Sequence, residues 1–308
     1  MAHQTLALIW YFIIIFGVIM YVILDGFTIG TAIIMPFLED KEKDIAMSVI
    51  LPTWDGNQTW LVLGGAAMYG TFPLAFSIVL PALYFPIYIM ILALLFRGVC
   101  FEFRLKAKEE KPRWDMLFFI SSIITAFIQG VILAKFVGGF NLDNGQVSLN
   151  QDSLTSFFSI FVGFGVIIGY LLLGSTRLIL KTEGQLQIKL FRFAKIITFI
   201  GFLFMIGVSI WTPFIDTKLK DFWFNTENMK FLAILPLVTI LIFATLVWSL
   251  YKNKDIKPYW CTVGIFLCGY IGFILGTFPY IVPHAITLYD AASPTSSLIF
   301  TLVGAVIM

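Results

Sequence analysis

The chain has few charged residues for its length, and this scarcity excludes most classes of protein. Only 12% of its 308 residues are charged, and 59% are hydrophobic. A soluble domain carries about 25% charged residues. A soluble chain this apolar could not cover its surface with polar groups, so lipid is the expected solvent. The net charge of +2 is too small to indicate nucleic-acid binding.

Cysteine and histidine are also scarce. The three cysteines, Cys100, Cys261 and Cys268, lie in or beside apolar stretches, and no CxxC or Cys/His cluster suggests a metal site. We interpret them as small buried hydrophobic residues. The two histidines, His3 and His284, stand at opposite ends of the chain. Such a sequence offers poor ligands for a haem.

Long apolar runs dominate what remains. A membrane-spanning helix needs about 20 mostly apolar residues, and we predict an all-α, polytopic membrane protein of about nine helices in a single domain, residues 1–308. The first helix is expected to be retained, because no basic segment or small-residue cleavage site precedes Asp25. The ninth run holds about twelve residues, too few to span, so we expect a truncated helix. The second predicted helix begins between residues 45 and 56 and ends near residue 70. The others cover residues 6–38, 74–96, 116–140, 154–173, 196–214, 231–251, 259–282 and 297–308.

The distribution of basic residues predicts the orientation. Loops that carry an excess of Lys and Arg face the cytoplasm. The even-numbered loops and helix four hold four basic residues, Lys135, Lys218, Lys220 and Lys230. The odd-numbered loops hold sixteen, so they are expected in the cytoplasm and the N-terminus outside. These sixteen are Lys41, Lys43, Arg97, Arg104, Lys106, Lys108, Lys111, Arg113, Arg177, Lys181, Lys189, Arg192, Lys195, Lys252, Lys254 and Lys257.

Three carboxylates do not fit the ordinary loop position, where a charge is simply solvated. Asp25 interrupts the first helix, Asp55 lies at the start of the second, and Glu102 follows the third by about a turn. Because the three helices alternate in direction, all three carboxylates are expected toward the cytoplasmic side. A charge within the bilayer costs about 3 kcal/mol or more, so such residues pair or line a wet path.

Each carboxylate has a structural alternative. Asp25 could be a packing residue hydrogen-bonded to a neighbouring helix, and Asp55 could cap the second helix through backbone N–H groups. Glu102 could pair with Arg97 or Arg104, and we interpret Arg97 as an interfacial anchor or an ion-pair partner. These residues alone indicate either a proton-handling subunit or a secondary transporter.

Three sequence blocks carry a resemblance to a known family. They are Leu24-Asp25-Gly26-Phe27-Thr28-Ile29-Gly30, Pro52-Thr53-Trp54-Asp55-Gly56-Asn57-Gln58-Thr59-Trp60-Leu61 and Arg97-Gly98-Val99-Cys100-Phe101-Glu102-Phe103-Arg104. The chain resembles subunit II of cytochrome bd-type quinol oxidases. The resemblance covers nearly the whole chain, although the specific motifs lie in its first third.

The resemblance implies a haem-free subunit. In the family, subunit II packs as a pseudo-symmetric pair with subunit I, which holds two b-type haems and one d-type haem. Quinol is oxidised at the outer side and oxygen is reduced to water with cytoplasmic protons. The expected partners are therefore subunit I, a small single-helix accessory subunit, quinol and oxygen. No cofactor is expected on this chain except, as in some members, a bound quinone. The expected location is the cytoplasmic (inner) membrane of a bacterium or archaeon.

The resemblance also implies roles for single residues. Asp25, Asp55 and Glu102 match positions associated with a hydrophilic proton path, and Trp60 matches a position beside an oxygen path. The supporting polar residues would be Thr28, Asn57, Gln58 and Arg97. Thr28 stands where many members have an aspartate, which puts an identical proton path in doubt.

Two other functions are compatible with the residues. The first is a proton-coupled secondary transporter, although the odd helix number and the absence of a visible repeat count against it. The second is a purely structural assembly subunit whose carboxylates serve only packing.

Overall fold

The computed structural model describes residues 2–143, 146–149, 157–215, 217–225, 228, 232–283 and 285–307. His284 therefore lies outside the described residues. The described chain is almost entirely helical, as predicted. Its helices are α1 Ala2–Ile34, α2 Asp40–Ile50, α3 Trp54–Thr71, α4 Pro73–Ala82, α5 Tyr84–Lys106, α6 Lys111–Gly138, α7 Phe157–Lys181, α8 Gly184–Trp211, α9 Thr217–Phe224, α10 Ile234–Tyr251, α11 Lys257–Thr277, α12 Leu288–Ala291 and α13 Thr295–Ile307, with 3-10 turns at Met35–Phe37 and Thr212–Phe214.

Two small antiparallel hairpins connect helices. Strand β1, Phe140–Asp143, pairs with β2, Gln146–Leu149, in the connection between α6 and α7. Strand β3, Tyr280–Val282, pairs with β4, Ile286–Thr287, after α11.

Every predicted apolar run contains a helix, and seven helices of the described chain are long and apolar enough to cross a membrane. The third run differs from the prediction, because it forms two helices that meet at Leu83. Pro81 and Pro86 flank this joint, and a proline nitrogen cannot donate the hydrogen bond that would continue the helix. The second of the two helices, α5, then extends ten residues past Phe96 to Lys106.

Residues 40–44 of the polar stretch 39–44 are helical, although the stretch was expected to be a loop. It opens α2 through a capping box: Glu39 accepts from the backbone of Glu42, and the Glu42 carboxylate accepts from the Glu39 backbone N–H at 2.9 Å. The two reciprocal bonds satisfy backbone donors that a helix start leaves free. An amphipathic helix thus joins α1 to α3.

The four basic loops meet at one end of the helices, which we call the basic end. Lys189, at the start of α8, contacts Glu39 at 2.7 Å and Glu42 at 2.8 Å. Arg104, near the end of α5, bonds Asp44 at 2.9 Å. The turn after α10 joins the same end, because Asn253 shares a pocket with residues of α8. The cytoplasmic placement of this end stays a prediction.

Glycines bring α1 and α7 into backbone contact. A Cβ atom on Gly30 would lie 1.7 Å from the backbone oxygen of Tyr170, and one on Gly174 would lie 2.5 Å from the carbonyl carbon of Gly30. Only glycine permits two helices to approach this closely. As a result, every residue of α1 from Asp25 to Ile34 is buried.

Candidate functional site

The centre of the candidate site is a buried ion pair between α1 and α5. The Asp25 side chain is fully buried, and Arg97 is 1% exposed. The guanidinium binds both carboxylate oxygens: Nη1 donates to Oδ2 at 2.7 Å, and Nη2 donates to Oδ1. This bidentate geometry is the strongest form of an Arg–carboxylate contact. Asp25 is therefore hydrogen-bonded to a neighbouring helix and Arg97 is an ion-pair partner, as two of the interpretations predicted, and a role of Asp25 in proton transfer stays a prediction.

A chain of neutral polar groups continues from this ion pair into α6 and α7. Gln129 Nε2 donates to the Tyr21 hydroxyl at 2.8 Å, and the Tyr170 hydroxyl donates to Gln129 Oε1 at 2.5 Å. Tyr21 also lies within hydrogen-bonding reach of Asp25. The sequence reasoning missed these three residues. The one available signal was the glutamine itself, a long polar side chain in the middle of the fourth predicted helix.

The supporting residues Thr28 and Asn57 join α1 to α3. The Asn57 amide donates to the Leu24 carbonyl at 2.8 Å and to the Thr28 hydroxyl at 3.1 Å. This contact places the first turn of α3 beside the residue that precedes Asp25. Gln58, also predicted as a supporting residue, is partly buried, and its Nε2 atom is a buried donor without a hydrogen-bond acceptor within the described chain.

Asp55 and Glu102 lie outside the buried cluster. Asp55 is exposed in the first turn of α3. Its carboxylate accepts no hydrogen bond from the described residues, so the capping interpretation is wrong. Glu102 lies within α5 and not beyond it, its side chain is 54% exposed, and its ion-pair contact is Lys106 at 3.9 Å. Neither Arg97 nor Arg104 pairs with it, because each binds a different carboxylate.

A second ionic cluster lies at the basic end. Arg104 Nε donates to the Asp115 carboxylate, and Lys43 approaches the other Asp115 oxygen at 3.7 Å. Lys111 contacts Asp44 at 3.2 Å. Burial alone would raise the pKa of Asp44, but hydrogen bonds from Lys111 and Arg104 outweigh burial and lower that pKa. Asp115 was expected to be a solvated loop charge; instead it is only 7% exposed, because α6 begins earlier than predicted.

Trp60, the residue beside the predicted oxygen path, packs against α1. Its ring meets Phe16 edge to face, with 5.7 Å between ring centroids. Its backbone oxygen also lies 3.7 Å from the position that a Cβ on Gly17 would occupy. The residue is partly buried between α1 and α3, and the oxygen path itself stays a prediction.

The histidine that the structure describes, His3, contacts the backbone of the chain near its other end. His3 lies in the first turn of α1, and its Nε2 atom is 3.1 Å from the backbone oxygen of Ser293. Within the described ranges, no three His, Cys, Asp or Glu side chains come together in a way that would hold a metal ion.

Comparison with known proteins gives one consistent family. Residues 6–308 match the profile of cytochrome bd terminal oxidase subunit II. Subunit 2 of the cytochrome bd-I ubiquinol oxidase of Escherichia coli (strain K12) is 27% identical over 224 residues, which cover 69% of this chain and 58% of that protein. Cytochrome bd ubiquinol oxidase subunit 2 of Bacillus subtilis (strain 168) is 30% identical over 184 residues, 58% of this chain and 54% of that protein. The match thus spans little more than half the length of these two relatives.

A solved structure shares the fold. The bd oxidase from Geobacillus thermodenitrificans contains a chain that superposes with a TM-score of 0.77, covering 98% of this chain and 94% of that one. The two sequences are 15% identical, so this likeness concerns the fold alone.

Proposed function

The chain belongs to the cytochrome bd terminal oxidase subunit II family, and from this membership we propose that it is the haem-free large subunit of a respiratory quinol oxidase. The observation that carries the proposal is the family match over residues 6–308. The complex would oxidise quinol and reduce oxygen to water in the cytoplasmic membrane of a bacterium or archaeon. The haems of b and d type would lie in subunit I, and a quinone on this chain stays a prediction.

The exposed side of α3 supports docking of subunit I. Five exposed residues recur at spacings of four, three, four and three, which places them on one face of a helix. We call this face the α3 stripe; it consists of Asp55, Thr59, Val62, Ala66 and Tyr69. The flanking glycines Gly56 and Gly65 have nothing within 4 Å of a Cβ position. Small residues on a membrane helix permit close approach of another helix.

The polar end of the α3 stripe also favours a protein partner over lipid. Asp55 would present a carboxylate to hydrocarbon or headgroups if lipid covered this face, which is unfavourable within the bilayer. Glu102 is likewise exposed, on α5. It lies near Asp55, because Trp54, next to Asp55, stacks on Phe101, next to Glu102, with 4.5 Å between the ring centroids. Both carboxylates would meet the partner at the same level of the membrane.

We further propose that this region supplies part of the proton path. Asp55 and Glu102 would take up protons at the partner-facing surface, where water can reach them. Asn57, Thr28 and the unpartnered amide of Gln58 would hold water between that surface and α1. The Asp25–Arg97 pair would act as a fixed polar end of the path, since both carboxylate oxygens bind the guanidinium. Buried charges in membrane proteins commonly mark such routes.

An absorption spectrum of the complex tests the function. The protein is purified in mild detergent through a tag on this chain, and its subunits are separated by mass. We expect haem-d absorption and a second large subunit. A colourless chain without a second large subunit would contradict the oxidase proposal and favour a transporter.

A matched pair of substitutions tests the α3 stripe. Ala66→Trp introduces a large side chain on the stripe, whereas Ala244→Trp introduces the same side chain on an exposed face of α10. We expect Ala66→Trp to reduce the recovered second subunit severalfold, and Ala244→Trp to leave it near the parental amount. Equal recovery from both variants would place the partner elsewhere.

A further inference from the structure

A polar pocket lies at the basic end, between α8 and the turn that joins α10 to α11. It is lined by Gln187, Ile188, Phe191, Arg192 and Lys195 of α8, together with Asn253 in the turn between α10 and α11. Its volume is 270 Å³. Asn253 adopts a positive φ of 50°, which turns the chain back toward the membrane at this point. The pocket thus combines two cations with amide groups in one concave surface.

The cations of this pocket have no carboxylate to neutralise them within the described chain. Neither Arg192 nor Lys195 forms an ion pair there, in contrast to Lys189 one turn earlier, which binds two glutamates. The Lys195 ammonium lies over the Tyr251 ring, 4.9 Å from its centroid. This cation–π contact holds the ammonium beside the pocket without neutralising its charge.

More positive charge surrounds the pocket in the same turn. Lys252, Lys254 and Lys257 are exposed there, against one carboxylate, Asp255, which forms no ion pair with a described residue. The Lys257 ammonium lies over the Trp248 ring at 5.1 Å. The turn therefore adds to the positive potential of the pocket, and an anion is the complementary ligand.

An apolar groove begins at the same turn and follows the lipid-facing surface between α10 and α11. Lys257 and Trp260 lie at its basic end, and Ile242, Cys261 and Gly264 line its walls further into the membrane. Its volume is 360 Å³. A groove of this composition accommodates a hydrocarbon chain, whereas a soluble anion would gain nothing from it.

We propose that this surface binds an anionic phospholipid, with the phosphate in the pocket of Arg192 and Lys195 and an acyl chain along the α10–α11 groove. Basic pockets between membrane helices at the cytoplasmic side bind such headgroups. The lipid would bridge α8 to the α10–α11 hairpin. The site involves no residue of the ion pair or of the α3 stripe, so it is separate from the proposed proton path.

Native mass spectrometry tests the proposal. The sample is the chain purified through its tag, together with any subunit that copurifies with it. The parent and two variants are incubated in micelles that contain equal amounts of phosphatidylglycerol and phosphatidylcholine. The test variant is Arg192→Gln/Lys195→Gln. The control variant, Lys41→Gln/Lys108→Gln, removes two exposed charges elsewhere at the basic end, neither of them ion-paired with a described residue.

We expect the parent and the control to retain phosphatidylglycerol over phosphatidylcholine, and the test variant to lose this preference by roughly tenfold. Equal retention by all three proteins would overturn the proposal, as would an equal loss in test and control, which would indicate net charge alone. A circular dichroism melt confirms that the test variant is folded. If inorganic phosphate displaced phosphatidylglycerol from the parent, the site would bind a soluble anion and the lipid proposal would be wrong.

Discussion

Inside α1, α5, α6 and α7, charged and amide side chains bond across helix boundaries, whereas in the apolar parts of α8 and α10 the side-chain hydrogen bonds of the described residues come from hydroxyl groups and stay within one helix. In the first group Arg97 reaches Asp25, and Gln129 links Tyr21 to Tyr170. In the second group Thr198 and Thr239 each donate to a carbonyl four residues earlier in the same helix. The two groups are similarly apolar, with mean hydropathies of 1.9 to 2.7 and of 2.2, so the difference lies in which polar side chains their apolar parts carry.

The comparison indicates two kinds of membrane helix in one chain. Polar contacts between helices fix rotation and register, because an unpaired polar group in hydrocarbon is costly. Burial follows the same division: 56% of the apolar window of α7 is buried inside the chain, against 17% for α8. The interior group therefore has the geometry for function, and the peripheral group has the surface for lipid.

The largest effect is expected from breaking the buried ion pair. Arg97→Gln leaves the Asp25 carboxylate buried without its counter-charge, which costs about 3–5 kcal/mol. We expect a large loss of folded complex and a lower unfolding temperature. The double variant Arg97→Gln/Asp25→Asn should recover part of the loss, because no unpaired charge remains.

A substitution in the peripheral group serves as the control. Thr239→Val removes a hydrogen bond that stays within α10, and we expect a change within about 0.5 kcal/mol. If Arg97→Gln unfolded at the parental temperature, the ion pair would not be a stabilising contact, and the contrast between the two groups would fail.

The next effect concerns the crossing of α1 and α7. Gly30→Ala places a methyl group where the Tyr170 backbone oxygen lies, and overpacking of this kind costs about 1–3 kcal/mol or more. Gly269→Ala in α11 is the matched control, because nothing lies within 4 Å of its Cβ position. We expect thermal unfolding of the purified complex to separate the two variants clearly. A parental unfolding temperature for Gly30→Ala would mean that the helices can separate at little cost.

A smaller effect on stability, but a clear effect on turnover, is expected at Asp55. Asp55→Asn keeps the shape of the side chain and removes its ability to exchange protons. We expect normal assembly and haem content, with quinol-driven oxygen consumption slowed severalfold or more. Glu102→Gln should have a milder effect, since water can replace an exposed carboxylate.

Oxygen-electrode measurements on the Asp55→Asn complex between pH 6 and 8 check this prediction. A parental rate across this range would remove Asp55 from the proton path. Loss of the haems would instead assign Asp55 a structural role at the subunit interface, which also contradicts the prediction of normal assembly.

The smallest effect is expected at the basic end, from pH. Hydrogen bonds from Lys189 and from the Glu39 backbone lower the pKa of Glu42 below its ordinary value of 4.5. A lowered folded-state pKa contributes stability that is present above the ordinary value and is lost as the pH falls through the folded value. The unfolding temperatures of the parent and of Glu42→Gln should therefore differ most near neutral pH and converge as the pH falls through the lowered folded-state pKa. A difference that did not change with pH would mean that the contact acts through packing.

The sequence predicted the membrane fold well, because apolar length alone decides whether a helix can span. It placed Asp25 in a helix and offered the ion-pair interpretation of Arg97, but it could not pair the two. Their contact depends on how α1 and α5 are rotated about their axes, and no local sequence pattern fixes that rotation. The misplaced end of the third helix had a simpler cause. Arg104 and Glu102 looked like loop residues because charges usually end a membrane helix, yet α5 continues through them.

The separation of the ion pair along the chain has a consequence for biosynthesis. Asp25 and Arg97 are 72 residues apart. At about 5–20 residues per second, the ribosome needs roughly 4 to 14 s to add the arginine after the aspartate. During that interval the first helix carries a carboxylate that has not yet met its counter-charge. Keeping that carboxylate charged within the bilayer costs about 3 kcal/mol or more until α5 supplies the guanidinium.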